Sequence, residues 1–339
     1  MHCTYPNGPI RSTFFPRDFY NSVDNQFPQR KIPQFVAPLP GRRITKSTPT
    51  PPRRRAGLPA IAVGMDEDEV RTEAWWGRRA WVLLSAVRAR APLVQCITNL
   101  VSMDIVANAL LAAGASPAML HCLREVPDFI PRCDAVYINV GTLSEDWLPS
   151  MRAAASAGRP WVFDPVAVAA SGFRMEACLS LLALCPAVVR GNASEILALA
   201  SRSDNSSFKG VDSSHDSSDA LQAAKALARS NGSVVAVSGA VDFITDGVQV
   251  VSASNGVPMM QKITATGCAV TALIAAFVGA DPSDALVAAA CALAIFGLAG
   301  ELGMESARGP ASLRMHLIDA LYSLDEQTVT SRVKISLLP

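Results

Sequence analysis

Ala265-Thr266-Gly267-Cys268 runs straight into an apolar, alanine-rich stretch ending at Ala280. A small-residue turn at the start of a helix leaves backbone N–H groups unpaired, and with the helix dipole these favour an anion. Two readings stand: a plain loop-to-helix junction, or an anion cradle with the Cys268 thiol beside it. A thiol of pKa ~8.5 is lowered at a helix N-terminus, so Cys268 is either a weak base or a small neutral packing group.

Other residues carry the same kind of choice. Asn192-Ala-Ser-Glu195 sets a carboxylate three residues after an asparagine. That spacing fits a capping box, and it also lets Glu195 reach a Mg2+ directly or through water; spacing alone favours the cap. Arg190 can hold a nucleotide phosphate or merely end a strand. Asp164, before Pro165, is a turn-former or a carboxylate near metal and phosphates. Ser238-Gly239 also follows an apolar run. Asn99 caps a helix or bonds a ligand. Met103 is core filler or ligand contact. Of four histidines only His121 is well placed to face a site, and no triad of nucleophile, base and orienter emerges. There is neither a G-x-x-x-x-G-K-[ST] loop nor a G-x-G-x-x-G after a strand.

These residues follow short apolar strands, and the strands alternate with helices. Strands are expected at Leu93–Ile97, Ala135–Val140, Trp161–Phe163, Ala187–Arg190 and Ser233–Ser238, with a hairpin at Asp242–Asp246 and Val248–Ser252. Helices are expected at Glu73–Arg90, Val101–Ala113, Trp147–Ala157, Met175–Leu184, Ala193–Ser201, Ser217–Ser230 and Ser312–Ser323. The pattern predicts an α/β protein with a largely parallel sheet covered on both faces. Ligands bind such sheets outside the carboxyl ends of the strands, where the polar residues fall.

The chain has 339 residues, is half hydrophobic and carries a net charge of +1. Residues 1–64 hold ten Lys/Arg and two Asp, a net of +8, so the remainder is −7. The body is mildly acidic and presents no nucleic-acid face. Residues 1–72 are basic and Pro/Arg-rich, expected as an unfolded leader. It is either an organelle transit peptide, which implies a plastid, or a tail ahead of a start at Met65 in a cytoplasmic protein. Residues 73–330 are expected as the domain and 331–339 as a tail. Eight scattered cysteines without a C-x-x-C pair suggest neither disulfides nor zinc. The uncharged runs Ala265–Ala280 and Ala285–Gly300 each span 16 residues, short of the ~20 that cross a membrane. They are read as a buried helical hairpin.

Taken in order, the segments CITNLVSMDIVANALLAAGASPAM (96–119), INVGTLSEDW (138–147), DPV (164–166), RGNASEI (190–196), KGVDSS (209–214), VSGAVDFITDG (237–247), SNGVPMMQKITATGCAVTALIAAF (254–277) and GPASLRMHLIDALYSL (309–324) resemble the hydroxyethylthiazole kinase family. The resemblance covers about Pro92–Leu324. It implies a three-layer ribokinase-like fold and transfer of phosphate from ATP, with Mg2+, to the hydroxyl of 4-methyl-5-(2-hydroxyethyl)thiazole. It also implies a homotrimer with sites between subunits. By motif, Met103, Asn99 and Ala265 belong to the thiazole, with the Gly114–Met119 turn nearby. Arg190, Ser238 and Asn192 belong to ATP, Asp164 and Glu195 to the metal–phosphate region, and Thr266, Gly267 and Cys268 to the reacting groups. Two alternatives stay open: a kinase of another small alcohol such as a pyrimidine, and a ligand-binding protein without turnover.

The chain departs from the family pattern at three places. Ala265 stands where the turn usually begins with glycine, Asp104 where asparagine is usual, and Ala167–Gly172 where the segment is usually glycine-rich. An alanine is tolerated at negative φ and strained at positive φ.

Overall fold

Short β-branched runs, separated by helix-length segments, assemble into one nine-stranded sheet. The computed structural model describes residues 71–203 and 217–339. The expected leader up to residue 70 and the segment Lys209–Ser214 lie outside the described residues. In chain order the elements are α1 (Glu73–Arg90), β1 (Leu93–Ile97), α2 (Met103–Ala113), β2 (Ser116–Ala118), α3 (Val126–Phe129), β3 (Ala135–Asn139) and α4 (Leu148–Ala155). Then come β4 (Trp161–Asp164), α5 (Gly172–Leu182), β5 (Val188–Asn192), α6 (Ala193–Ser203), α7 (Leu221–Asn231), β6 (Val234–Ser238), β7 (Asp242–Thr245) and β8 (Val250–Ala253). The chain ends with α8 (Thr266–Ala280), α9 (Ala285–Ser306), α10 (Pro310–Ser323), α11 (Glu326–Arg332) and β9 (Ile335–Leu338).

The strand order is β2-β1-β3-β4-β5-β6-β7-β8-β9. Strands β1 to β6 pair in parallel, and β7, β8 and β9 join antiparallel. Two buried cores lie on opposite faces. One joins the sheet to α1, α2, α8, α9 and α10. The other joins it to α4, α5, α6 and α7. The expected three layers are present.

Four elements, β2, α3, α11 and β9, are not among those expected from the sequence. The segment Gly114–Met119, expected as a turn, contains β2, which lies parallel to β1 at the sheet edge. Pro117 lacks an amide donor, so the run carries little strand signal and is tolerated only at an edge. Residues 331–339, expected as a tail, close α11 and form β9, paired to β8 through Val250↔Leu338 to Ala253↔Ile335. A four-residue strand after a polar helix leaves no periodicity to read.

Helix α9 is longer than its uncharged run and by length and composition could cross a membrane. Its most apolar window is 83% buried inside the protein, so it is a core helix. Asp284 caps it by accepting from Val287 N. Gly297 and Gly303 let Asn255 and α10 approach its backbone, since a Cβ there would stand 2.3 and 2.8 Å from neighbouring backbone atoms.

Candidate active site

Side chains alternate across a strand with period two, and this decides what lies under α8. Ala135, Tyr137, Val162, Val188 and Ala236 point into the core that contains α8. The next residues on that face are Asn139, Asp164, Arg190 and Ser238. Four adjacent parallel strands thus end with a polar side chain aimed at the start of one helix.

Cys268 stands in the first turn of α8, half-buried. Its Sγ accepts from Asn99 Nδ2 at 3.5 Å and from Asn139 Nδ2 at 3.3 Å. Asn99 Oδ1 accepts from Val101 N and Ser102 N, so it closes the turn that leads into α2. Asn139 Oδ1 accepts from Asn99 Nδ2 and Gly141 N, both at 2.8 Å. Gly141 leaves room for this contact, because a Cβ there would stand 2.6 Å from Asn99 Nδ2. Asn139 Nδ2 also donates to Asp164 Oδ2 at 2.9 Å and to the Tyr137 hydroxyl at 2.8 Å.

Asp164 is 1% exposed. Its Oδ2 also accepts from the Thr271 hydroxyl at 3.0 Å, which ties α8 to β4. Among the described residues its Oδ1 makes no hydrogen bond. Burial raises the carboxyl from 3.8 to about 7; Glu195 adds to the rise, while Arg190 and the Thr271 and Asn139 donors oppose it. Burial, then Asp164, also raises the Cys268 thiol, against the Asn99 and Asn139 donors and Arg190. The thiol is therefore neutral at rest, opposite to the lowering expected from a helix N-terminus alone.

Beyond Gly267 the site opens. Arg190 lies against this residue, where a Cβ would stand 2.6 Å from a guanidinium nitrogen. Arg190 Nε is buried with no hydrogen-bond partner among the described residues. A buried unpaired charged donor is costly. A cavity of about 750 Å³ starts here, lined by Arg190, Asn192, Ser238, Thr266, Gly267 and Phe296 among others. No side chain caps α8. Ser238 donates to Gly191 O at 3.2 Å.

The remaining candidates have visible structural duties. Asn192 and Glu195 form the expected capping box: Asn192 Oδ1 accepts from Glu195 N, and Glu195 Oε2 from Asn192 N at 2.8 Å. Glu195 Oε1 accepts from Ala167 N at 2.8 Å. This holds the loop after Asp164 against α6. Met103 begins α2, half-buried and outside the cavity lining. His121 stacks on Trp147 at 4.2 Å and contacts the carbonyls of Met119 and Thr98. Asp104 forms an ion pair with Arg314 of α10. Ala265 and Ala167 both have left-handed backbones, with φ of 63° and 53°, so Ala265 falls on the strained side of the expectation.

Sequence reasoning missed Asn139, Tyr137 and Thr271. Asn139 had a signal, an asparagine ending the apolar run Ala135–Ile138. Thr271 had none, since a threonine one turn into an apolar helix normally bonds its own backbone, as this one also does to Gly267 O at 2.9 Å.

A sequence profile of the hydroxyethylthiazole kinase family matches residues 84–327. A Zea mays protein named hydroxyethylthiazole kinase is 82% identical over 279 residues, covering 82% of this chain and 99% of that protein. The structure of the hydroxyethylthiazole kinase protein from Pyrococcus horikoshii OT3 superposes with a TM-score of 0.71 at 37% identity, covering 77% of this chain and 99% of that one. The pyridoxal kinase of Staphylococcus aureus in complex with pyridoxal shares the fold alone, at TM-score 0.53 and 15% identity, over 73% of this chain and 97% of that one. These neighbours share the three-layer ribokinase-like arrangement, and by the profile and the near end-to-end relatives the chain belongs to the hydroxyethylthiazole kinase family.

Proposed function

We propose that the protein transfers the γ-phosphoryl group of ATP to the hydroxyl of 4-methyl-5-(2-hydroxyethyl)thiazole, a thiamine-salvage reaction. Besides family membership, the observation that carries this reading is Arg190, whose terminal guanidinium nitrogens lie against Gly267 at the head of the cavity and whose Nε is buried without a partner among the described residues. In this reading Arg190, Ser238 and Asn192 hold the nucleotide. The Thr266, Gly267 and Cys268 amides cradle the moving phosphoryl group. Met103, Asn99 and Ala265 form the thiazole side. Phosphoryl transfer asks mainly for positioning and charge stabilisation, so a neutral Cys268 thiol suffices to seat the hydroxyl, with its proton leaving late.

Asp164 and Glu195 suit a Mg2+ site. Asp164 has an unengaged Oδ1, and burial penalises its charge. Mg2+ commonly takes one or two carboxylates and completes its shell with water and phosphates. When bound, Mg2+ would neutralise charge on the phosphates.

The test is ADP release by the full chain with Mg-ATP and the thiazole alcohol, beside the pyrimidine alcohol and a no-acceptor control. Release only with the thiazole alcohol is expected. Release only with the pyrimidine alcohol, or thiazole binding without release, would overturn the reading.

A homotrimer with shared sites is part of the proposal. Leu100 and Val101, 66% and 62% exposed next to Asn99, suit a subunit contact. Light scattering at three times the chain mass is expected, and a monomer would count against it. For the basic leader, plastid import of a fusion to residues 1–64 would support a transit peptide; cytoplasmic retention would favour the tail.

A further inference from the structure

We propose that Asn139 is a positioning residue for phosphoryl transfer: its amide fixes where the Cys268 sulfur stands relative to Asp164. The inference rests on the reading of Cys268 as the group that seats the hydroxyl. A buried amide ending an apolar strand costs free energy unless its bonds are made, and all of Asn139's bonds converge on one place.

Its orientation is not open to a flip. Gly141 N–H can only donate, so the atom 2.8 Å away is the amide oxygen. The same oxygen takes the Asn99 amide, whose own oxygen is fixed by Val101 N and Ser102 N. The NH2 group of Asn139 must then face Tyr137, Asp164 and Cys268, sharing two hydrogens among three acceptors at 2.8, 2.9 and 3.3 Å. Register supports the geometry, since Asn139 and Asp164 are paired neighbours on β3 and β4. The clamp thus joins the ends of β1, β3 and β4 to the first turn of α8. Asn139 touches none of the nucleotide cavity.

A positioning role and a purely structural one differ in three readouts. Asn139→Leu should lower kcat about 100-fold, the cost of a small misplacement at a reacting centre. KM for ATP should stay within about threefold, because the nucleotide side is built by other residues. In a Cys268→Ala background Asn139→Leu should add less than about threefold, because the two act through one contact. Asn139→Ser removes the amide without adding a charge beside Asp164, and it reads the same coupling if the leucine variant does not fold. Losses that multiply with Cys268→Ala, or a rise in KM for ATP matching the fall in kcat, would overturn the inference alone. Full activity of Cys268→Ala would overturn the role of the sulfur and this inference with it.

Discussion

The two flanks of the Gly267 turn are built oppositely. On the Cys268 side every side-chain polar atom of Asn99 and Asn139 is engaged, and the sulfur is held by two amides. On the Arg190 side a guanidinium nitrogen is buried without a partner at the mouth of a cavity of about 750 Å³. One flank is closed by bonds within the chain, and the other presents a buried donor without a partner among the described residues. The contrast fits a kinase that keeps the acceptor's surroundings rigid and lets an incoming polyphosphate satisfy the donor side.

Breaking the engaged flank should cost most. Asp164→Asn should reduce turnover about 10³-fold, as the loss of a charge-stabilising group does, yet it should not harm the fold. Asp164 has a folded pKa of about 7 against 3.8. Its stabilising contribution is therefore present below the ordinary carboxylate pKa and lost as pH rises to about 7. Asparagine escapes that loss, so in nucleotide-free protein the Tm of the variant should gain on wild type between about pH 5 and pH 8. A constant difference would contradict the buried-charge assignment.

The open flank should respond differently. Arg190→Met removes an unpaired buried donor, so stability should hold while KM for ATP rises about 10- to 100-fold, the worth of a charge-assisted bond. A Tm loss equal to that of a core truncation would instead mean that Arg190 is structural. Gly267→Ala sits between the flanks. Its new Cβ would push the guanidinium aside, and kcat/KM for ATP should fall about tenfold with little change in Tm.

Smaller effects sharpen the picture. Ala265→Gly relieves a left-handed alanine and should stabilise by less than about 1 kcal/mol. Activity should be equal or higher, measured by Tm and kcat; lower activity would mean that the methyl group serves the thiazole side. Asp104→Asn breaks an exposed pair with Arg314 and should cost under about 0.5 kcal/mol by denaturant unfolding.

The parallel sheet was legible because strand and helix periods differ, and β1 and α1 fall at their expected bounds. Carboxyl-end polar residues were legible for the same reason. The turn of Ala265–Cys268 was legible as the start of a helix, but the state of Cys268 was not. Its thiol is set by burial and by Asp164, which lies 104 residues earlier in the chain. Asn139 carried a signal as an asparagine at a strand end, but its partners were hidden, since only the pairing β1-β3-β4 brings Asn99, Asp164 and Cys268 around it. The edge strands β2 and β9 were hidden by a proline and by brevity. The backbone angle of Ala265 follows from how α8 docks, and no residue type reports it.

The most direct test of the account is turnover by Cys268→Ala and Cys268→Ser beside wild type, with Mg-ATP and the thiazole alcohol. The account predicts thiazole-dependent ADP release in wild type, near-wild-type release in the serine variant, which still offers a small neutral group, and about 100-fold less in the alanine variant. Equal loss in both variants would contradict a neutral seating thiol, and full activity in both would remove Cys268 from the reaction.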